Sequence, residues 1–510
     1  MNFDVVVIGG GFGGLIAASL LAQEGQKVAV IEQHNKPGGF ASHFKRNGYN
    51  FEVAVHLLDG PSKNNFRSEI FEFLGIEDNI DFISIPNFFG VHLSSGMVEV
   101  PANIPLATQT LMERFPHEKG GIATFFKAME LISDQFVDFL RRDLPIRLSD
   151  PLFGVFYPDF KDLSHVTIAE YVYSLVKNND LRWILMANLG FYYHDLNFPA
   201  SAYLVNQANY FNGGVRYVRG GVQNIASYLV RHIEEMGGKV FLKSKAEQVL
   251  REGSKVSGVQ YRKVAGPNRE AEVLRSKYVI VNAAIPYFYK HLLNQVEPSN
   301  SAIFPKGSSE SISATTLYLG LKKPFHELTE ASFFNFYREK TPFYFGNSKP
   351  QGRDFSLVDY SVVDSSFKKT GKFTADVVFL DRKDHWIKAQ QAGLYKEKKE
   401  NVIQELRNWF YKLNPDFNEN IDILELGTPC TVEKFTNNSD GAIYGFNAST
   451  MDLDTYCERL RLKFVPDDPN IENLYFASAW SSCQSISGVT VAGYQAARAI
   501  LEKEGQTLNL

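Results

Sequence analysis

The chain is poor in the features that would commit it to a special environment. Only three of its 510 residues are cysteine: Cys430, Cys457 and Cys483. Three cannot all pair within one chain, and none stands in a CxxC or other metal-ligating spacing. A disulfide scaffold is not expected, and a reducing, cytoplasmic compartment is. No basic block is present. The 53 Lys and Arg and 57 Asp and Glu are scattered and leave a net charge of −4. Nucleic acid is therefore not an expected partner. No stretch has the roughly 18–20 apolar residues that a bilayer-spanning helix needs. Residues 5–21 come nearest, but five glycines interrupt them and Asp4 precedes them with no Lys or Arg. They read as a buried strand and a helix, not as a signal-peptide core. Internal repeats, low-complexity tracts and long linkers are also missing.

What is present is length and aromatic bulk. A chain of 510 residues exceeds one ordinary core and predicts two or three domains, with interleaving allowed. Aromatic residues make up 14%, with 41 Phe and 24 Tyr. Two readings stand: a Phe-rich core, and a long apolar substrate tunnel with aromatic walls.

The start of the chain carries the sharpest motif. Val5-Val6-Val7-Ile8 is a β-branched run of the kind found in central parallel strands. Gly9, Gly11 and Gly14 then fill a GxGxxG pattern, with Phe12 and Gly13 between the last two. The first glycine allows the tight turn, the second lets backbone approach a pyrophosphate, and the third lets helix pack on strand. A helical stretch follows to Glu24, and its free N–H groups would face phosphates. Val28-Ala29-Val30-Ile31 is a second strand, and Glu32 stands at its end to accept from ribose hydroxyls. Strand, glycines, helix, strand and acid occur in order within about 30 residues, as a dinucleotide fingerprint requires. Glu32 disfavours a 2′-phosphate. A second glycine pair, Gly38-Gly39, provides another close backbone approach. Phe40, Ala41 and Ser42 come next, and residues 44–52 alternate like a hairpin around Asn47-Gly48.

Residues 37–60 resemble the flavoprotein superfamily of phytoene desaturases, carotenoid isomerases, retinol saturases and amine oxidases. The likeness is strongest to the retinol saturase and carotenoid isomerase branch, where a D-x-G-x-H stretch follows the glycine pair. Here it reads Glu52-Val53-Ala54-Val55-His56, so Glu replaces Asp, Ala54 replaces Gly, and His56 keeps its place. Phe40 stands where many members carry Arg. The resemblance continues through residues 115–122, 213–221, 427–429 and 441–445. It implies FAD as cofactor, with Gly9, Gly11, Phe12, Gly13, Gly14, Glu32, Gly38, Gly39, Phe40 and Ser42 around it. It also implies adenine contact at Ala246. Ser478-Ala479 stands where relatives have Gly-Asp, so the ribityl carboxylate is missing and Ser478 is left as a weaker partner. Gly488 and Val489 open a helix whose dipole would face the flavin pyrimidine; plain C-terminal packing is the other reading.

The fold class implied is α/β: a Rossmann-like FAD-binding domain of the glutathione-reductase or amine-oxidase type, with an inserted α+β substrate domain containing an antiparallel sheet. Residues 1–60, 206–290 and 426–510 are expected to form the discontinuous FAD domain, and 61–205 and 291–425 the substrate domain.

The function implied is an FAD-dependent oxidoreductase acting on carbon–carbon double bonds of a conjugated polyene or isoprenoid lipid, as saturase, desaturase or isomerase. An amine or amino-acid oxidase is one alternative, and a lipid-binding chaperone without catalytic flavin is another. His56 is the candidate catalytic residue, either as a proton donor beside the flavin or as a hydrogen-bonded structural residue. Tyr192, Tyr193, His194 and Asp195 are cavity candidates, with core packing equally open. There is no second GxGxxG, so electrons would pass to or from a quinone, oxygen or a reductase. An apolar substrate suggests peripheral membrane contact, with residues 152–157 and Phe88-Phe89 as candidate portals; burial in a core is the other reading.

Overall fold

The structure, a computed structural model, describes all residues except 63–64, 143–145, 192–195, 267–268, 296–302, 338–353, 449–450, 452, 483 and 509. Tyr192, Tyr193, His194, Asp195 and Cys483 therefore lie outside the described residues.

Strand Asn2–Ile8 is buried on both faces from Val5 onward. It lies between Val28–Ile31 and Ala271–Val281, parallel to both. Lys239–Phe241 extends the sheet on one side. Ala271–Val281 is long enough to serve two partners. Its first half pairs antiparallel with Lys255–Lys263, which pairs in turn with Ser244–Glu252. Its last three residues pair in parallel with Leu474–Phe476. The sheet thus joins three stretches of chain that are far apart in sequence.

Helix Phe12–Gln23 is buried at every residue but the last, as a helix apolar on all sides must be. It packs on Gln223–Glu235 and Ser485–Lys503. Glycine sets the second approach: a Cβ on Gly493 would meet the Gly13 carbonyl oxygen at 2.5 Å. Gln223–Glu235 buries Ile225, Leu229 and Ile233, spaced as one face of a helix.

A second sheet has the order Ile421–Gly427, Ser313–Leu321, Phe373–Asp381, Phe355–Asp359, Phe334–Tyr337, Asn87–Leu93, Gly96–Pro101. The sequence predicts an antiparallel sheet. Its pairs are antiparallel except Phe334–Tyr337 with Asn87–Leu93, which is parallel. Those two strands come from different pieces of the insertion, so no hairpin fixes their direction. The expected division between 425 and 426 falls inside strand Ile421–Gly427. Leu317 and Leu319 turn to a cluster with Phe410 on helix Tyr395–Leu413. Thr316 and Tyr318, one residue out of phase, line a cavity on the other face, as period-two strands require.

Helices Lys119–Arg142, Pro151–Phe156, Pro158–Ser164 and Ala200–Gly213 pack on one another, and only the last of them reaches the cavity, through Asn209 and Tyr210. Phe125, Phe126, Phe136, Phe139, Phe153, Phe160 and Phe211 are buried there, each burial contributing about 1.5–3 kcal/mol. Much of the aromatic content is therefore core. Phe88 and Phe89 belong to it, at 0% and 3% exposure. They are not a portal on the surface: strand Asn87–Leu93 is covered on both faces there, and Phe88 packs against Phe191, Tyr210 and Phe211. On helix Pro151–Phe156, Leu152, Val155 and Phe156 are exposed, while Phe153 and the following Tyr157 turn inward. Among the described residues, no helix is long and apolar enough to cross a membrane.

Candidate flavin and substrate site

A cavity of about 810 Å³ opens at the carboxyl ends of the parallel strands, where open α/β sheets bind ligands. The first glycine loop forms its floor. Gly9 has φ +97°, and a Cβ on it would meet the Asn282 carbonyl oxygen at 2.4 Å. Asn282 Nδ2 donates to Gly9 O at 3.1 Å and tethers the loop to the next strand end. The second glycine pair docks on the first. Gly38 N donates to Gly10 O at 2.7 Å, and Gly11 and Gly38 form an isolated parallel bridge. Gly38 and Gly39 both have positive φ, at +112° and +60°. Two motifs distant in sequence thus make one backbone cradle.

Glu32 is buried beside that cradle. Its Oε2 accepts from Gly10 N and its Oε1 from His34 N, each at 2.7 Å. Both oxygens keep a further lone pair, and the side chain lines the cavity. Ala246, on strand Ser244–Glu252, lines the same end. Backbone amides, space that a Cβ would fill and an oriented carboxylate together fit the phosphates and ribose of a dinucleotide.

At the other end of the cradle begins helix Ser485–Lys503. Ser485 has φ +83°, a region costly for a residue with a Cβ. Its Oγ accepts from Gly488 N at 3.2 Å. Ser485, Ile486, Ser487 and Val489 line the cavity at the positive end of the helix dipole. Ser487 Oγ donates to Asp59, 3.0 Å from each carboxylate oxygen. Arg67 stands behind Asp59. Its Nη2 donates to Asp59 O at 2.8 Å, and its Nε lies 3.5 Å from Oδ1. The Asn65 side-chain amide also donates to Asp59. Ser478 lines the cavity, accepting from Trp480 N at 3.3 Å and donating to Ala283 O at 3.4 Å.

His56 lies between the cradle and an aromatic chamber. Its Nδ1 is 2.6 Å from the Tyr360 hydroxyl, which is 2.7 Å from Asp376 Oδ2. Burial pushes the His56 imidazole down to about 4, so the ring is neutral near pH 7. Its 3.7 Å separation from Asp376 is therefore not a working ion pair. Asp376 is fully buried, and burial holds its carboxyl well above the usual carboxylate range. Glu52, also buried, accepts from Tyr217 Oη at 3.1 Å and Val222 N at 3.0 Å. Burial pushes it up to about 8 against these bonds. Beyond His56, Trp183, Ala187, Phe191, Tyr210, Phe334 and Phe336 line the cavity and give it an apolar wall.

A family model for flavin containing amine oxidoreductases matches residues 12–501. The chain belongs to this family. It is 26% identical over 485 residues to human all-trans-retinol 13,14-reductase, covering 87% of this chain and 77% of that protein. It is 27% identical over 474 residues to the chloroplastic prolycopene isomerase of Daucus carota, covering 87% and 72%. The solved structure of cyclohexylamine oxidase from Brevibacterium oxydans IH-35A superposes with a TM-score of 0.61 at 13% identity, covering 99% of this chain and 100% of that one. That likeness speaks to the fold alone. This family member is an FAD-dependent oxidoreductase.

The structure gathers most of the residues singled out from its sequence on one cavity. Gly9, Gly11, Phe12, Gly13, Glu32, Gly38, Gly39, Phe40, Ser42, His56, Ala246, Ser478 and Val489 line it. Gly14 and Gly488 do not. A Cβ on Gly14 would meet Gly9 O at 2.5 Å, so this glycine serves packing. Ser42 donates to Gly39 O at 2.6 Å and braces the second glycine turn. Asn282, Asp59, Arg67, Tyr360 and Asp376 were missed. Asn282 carried a usable signal, a polar residue at the end of a buried strand. Asp59 and Arg67 are eight residues apart and carried none.

Proposed function

We propose that this flavoprotein acts on carbon–carbon double bonds of a conjugated polyene or isoprenoid lipid, as a saturase, desaturase or isomerase. The observation that carries this reading is the continuity of the flavin cradle with an aromatic, apolar chamber, Phe191, Phe334 and Phe336 being walls of the same cavity as Gly11 and Glu32. Similarity to a retinol reductase and a prolycopene isomerase supports it. Gly9, Gly11, Glu32, Gly38 and Ala246 would hold FAD, which supplies hydride or electron transfer when bound. The chamber excludes water and aligns the chain of the substrate. His56 stands where the two regions meet and gives a proton to, or takes one from, a substrate carbon. A quinone, oxygen or a reductase serves as electron partner when the reaction has a net redox change.

The test is incubation of FAD-loaded protein with a panel of polyenes under reducing and oxidising conditions. A change in absorption or chromatographic retention is expected for at least one. No change in any of them, or peroxide release with amines instead, overturns the proposal. Peripheral membrane contact through Leu152, Val155 and Phe156 belongs to the same reading, and failure to float with liposomes refutes that part.

A further inference from the structure

We propose that Tyr360 and Asp376 form a proton relay behind His56: Asp376 is the buried acid that stores the proton, and Tyr360 the hydroxyl that passes it to the ring. The inference rests on the proton-transfer reading of His56 and adds the source of its proton.

The backbone holds the two groups in place. Asp376 sits in strand Phe373–Asp381 between Tyr318 and Val358 of the flanking strands. Tyr360 follows strand Phe355–Asp359 directly, in a short turn. Neither side chain is exposed. Tyr360 Oη lies 2.7 Å from Asp376 Oδ2 and 2.6 Å from His56 Nδ1, so one hydroxyl joins acid to imidazole. Nδ1 is occupied by that bond, which leaves Nε2 as the imidazole's polar atom for the cavity.

The state of Asp376 follows from its neighbours. Among the described residues its Oδ1 is buried without a hydrogen-bond partner. The titratable groups near it among the described residues are Tyr360, Tyr318, Tyr217, His56 and Glu52. None is a cation. Arg219 lies 3.7 Å from Asp364 and also pairs with Asp81. A carboxylate at Asp376 would be an uncompensated buried charge, so the acid keeps its proton. The Asp376 O–H then donates to Tyr360, Tyr360 donates to Nδ1, and the ring carries its own proton on Nε2.

The transfer balances without an imidazolium. The Nε2–H bond breaks as a bond from that proton to a substrate carbon forms. Nδ1 takes the Tyr360 proton, and Tyr360 takes the Asp376 proton. The ring ends as the other neutral tautomer and Asp376 as carboxylate. In a saturation, the π bond breaks as this proton goes to one carbon; bound FAD, reloaded by a two-electron donor, would supply the hydride that the second carbon needs. In a desaturation, the same steps run in reverse from the carboxylate form: Nε2 takes the proton from a substrate carbon, Nδ1 passes one to Tyr360, and Asp376 ends protonated. In an isomerisation, the proton is added and removed again with no net change. A neutral His56 alone has one proton and nothing to replace it; the relay supplies the replacement.

The experiment uses FAD-loaded wild type, Tyr360→Phe and Asp376→Asn, with flavin content and circular dichroism as folding controls. With a polyene that the wild type converts, both variants should lose about 10²-fold in kcat with KM unchanged. Independently, the infrared difference spectrum of wild type minus Asp376→Asn at neutral pH should show the carbonyl band of a protonated carboxylic acid. Wild-type kcat in both variants, or an ionised-carboxylate band in the difference spectrum, overturns the relay. If Tyr360→Phe does not fold, Asp376→Asn carries both readouts. If the wild type converts no polyene, the substrate reading has failed and the infrared band alone decides whether Asp376 stores a proton.

Discussion

Replacing Glu52 by Gln should flatten the stability of the protein against pH. Burial pushes the Glu52 carboxyl up to about 8, from an ordinary 4.5. A carboxyl whose folded value is raised contributes stability that is fully present below about 4.5 and lost as pH rises through about 8. Between those limits the loss approaches about 1.4 kcal/mol per pH unit. From about pH 5.5 to about pH 7.5 this one group therefore removes roughly 3 kcal/mol. For a chain of this length the unfolding entropy is on the order of 1 kcal/mol per kelvin, so the shift in Tm is about 3 °C. Gln keeps an acceptor for Tyr217 and Val222 N and cannot ionise. His56, lowered from an ordinary 6.5 to about 4, loses its contribution as pH falls between those values; it overlaps the lower part of the window with the opposite sign, but wild type and variant both carry it and it cancels in their difference. Differential scanning fluorimetry on FAD-loaded wild type and Glu52→Gln across this range is the assay. The Tm of the wild type should fall relative to the variant as pH rises. Parallel curves would refute the assignment of a buried, protonated Glu52.

Two further substitutions probe the cradle and its support. Glu32→Ala removes the carboxylate held by Gly10 N and His34 N. Losing charged acceptors worth about 1.5–3 kcal/mol should weaken FAD binding by roughly 10–100-fold, read from flavin fluorescence quenching; an unchanged Kd would show that the ribose does not use it. Arg67→Met leaves the Asp59 carboxylate buried without its guanidinium and should cost about 3–5 kcal/mol. Adding Asp59→Asn should restore part of that Tm loss, and a single variant as stable as wild type would contradict the pairing.

What the sequence disclosed was local. The glycine loop, Glu32 and the apolar stripe of Gln223–Glu235 each lie within one short window, and each is found where the pattern put it. The Asn47-Gly48 hairpin is also as read, its two turn residues both at positive φ, which is what a two-residue hairpin loop demands. What remained hidden was pairing over distance. Phe88 and Phe89 have the composition of an exposed portal and of a buried strand alike, and only the covering of Asn87–Leu93 by Tyr210, Phe211 and Phe336 decides. The parallel strand pair and the true extent of Ile421–Gly427 depend on which distant segments meet. Asp59 meets Ser487 across 428 residues, and no periodicity announces such a contact.

The Glu52–His56 segment shows why the two departures from the D-x-G-x-H pattern are tolerated. Ala54 has no positive φ, so nothing in its backbone demands glycine. Glu52 reaches the turn at Gly221-Val222, where a Cβ on Gly221 would lie 2.4 Å from Oε1. A glycine at 221 therefore makes room for the carboxyl, and Val222 N with Tyr217 satisfies one of its oxygens. Among the described residues the second oxygen has no partner, as at Asp376. Two buried acids, each with one oxygen unpartnered and no cation beside it among the described residues, hold a proton at rest for the same reason: a charge on either would be uncompensated. His56 is neutral between them and the cavity. The sequence identified this histidine from its place after the second glycine motif, but its chemistry is set by residues 360 and 376, some 300 positions away, which fold against it.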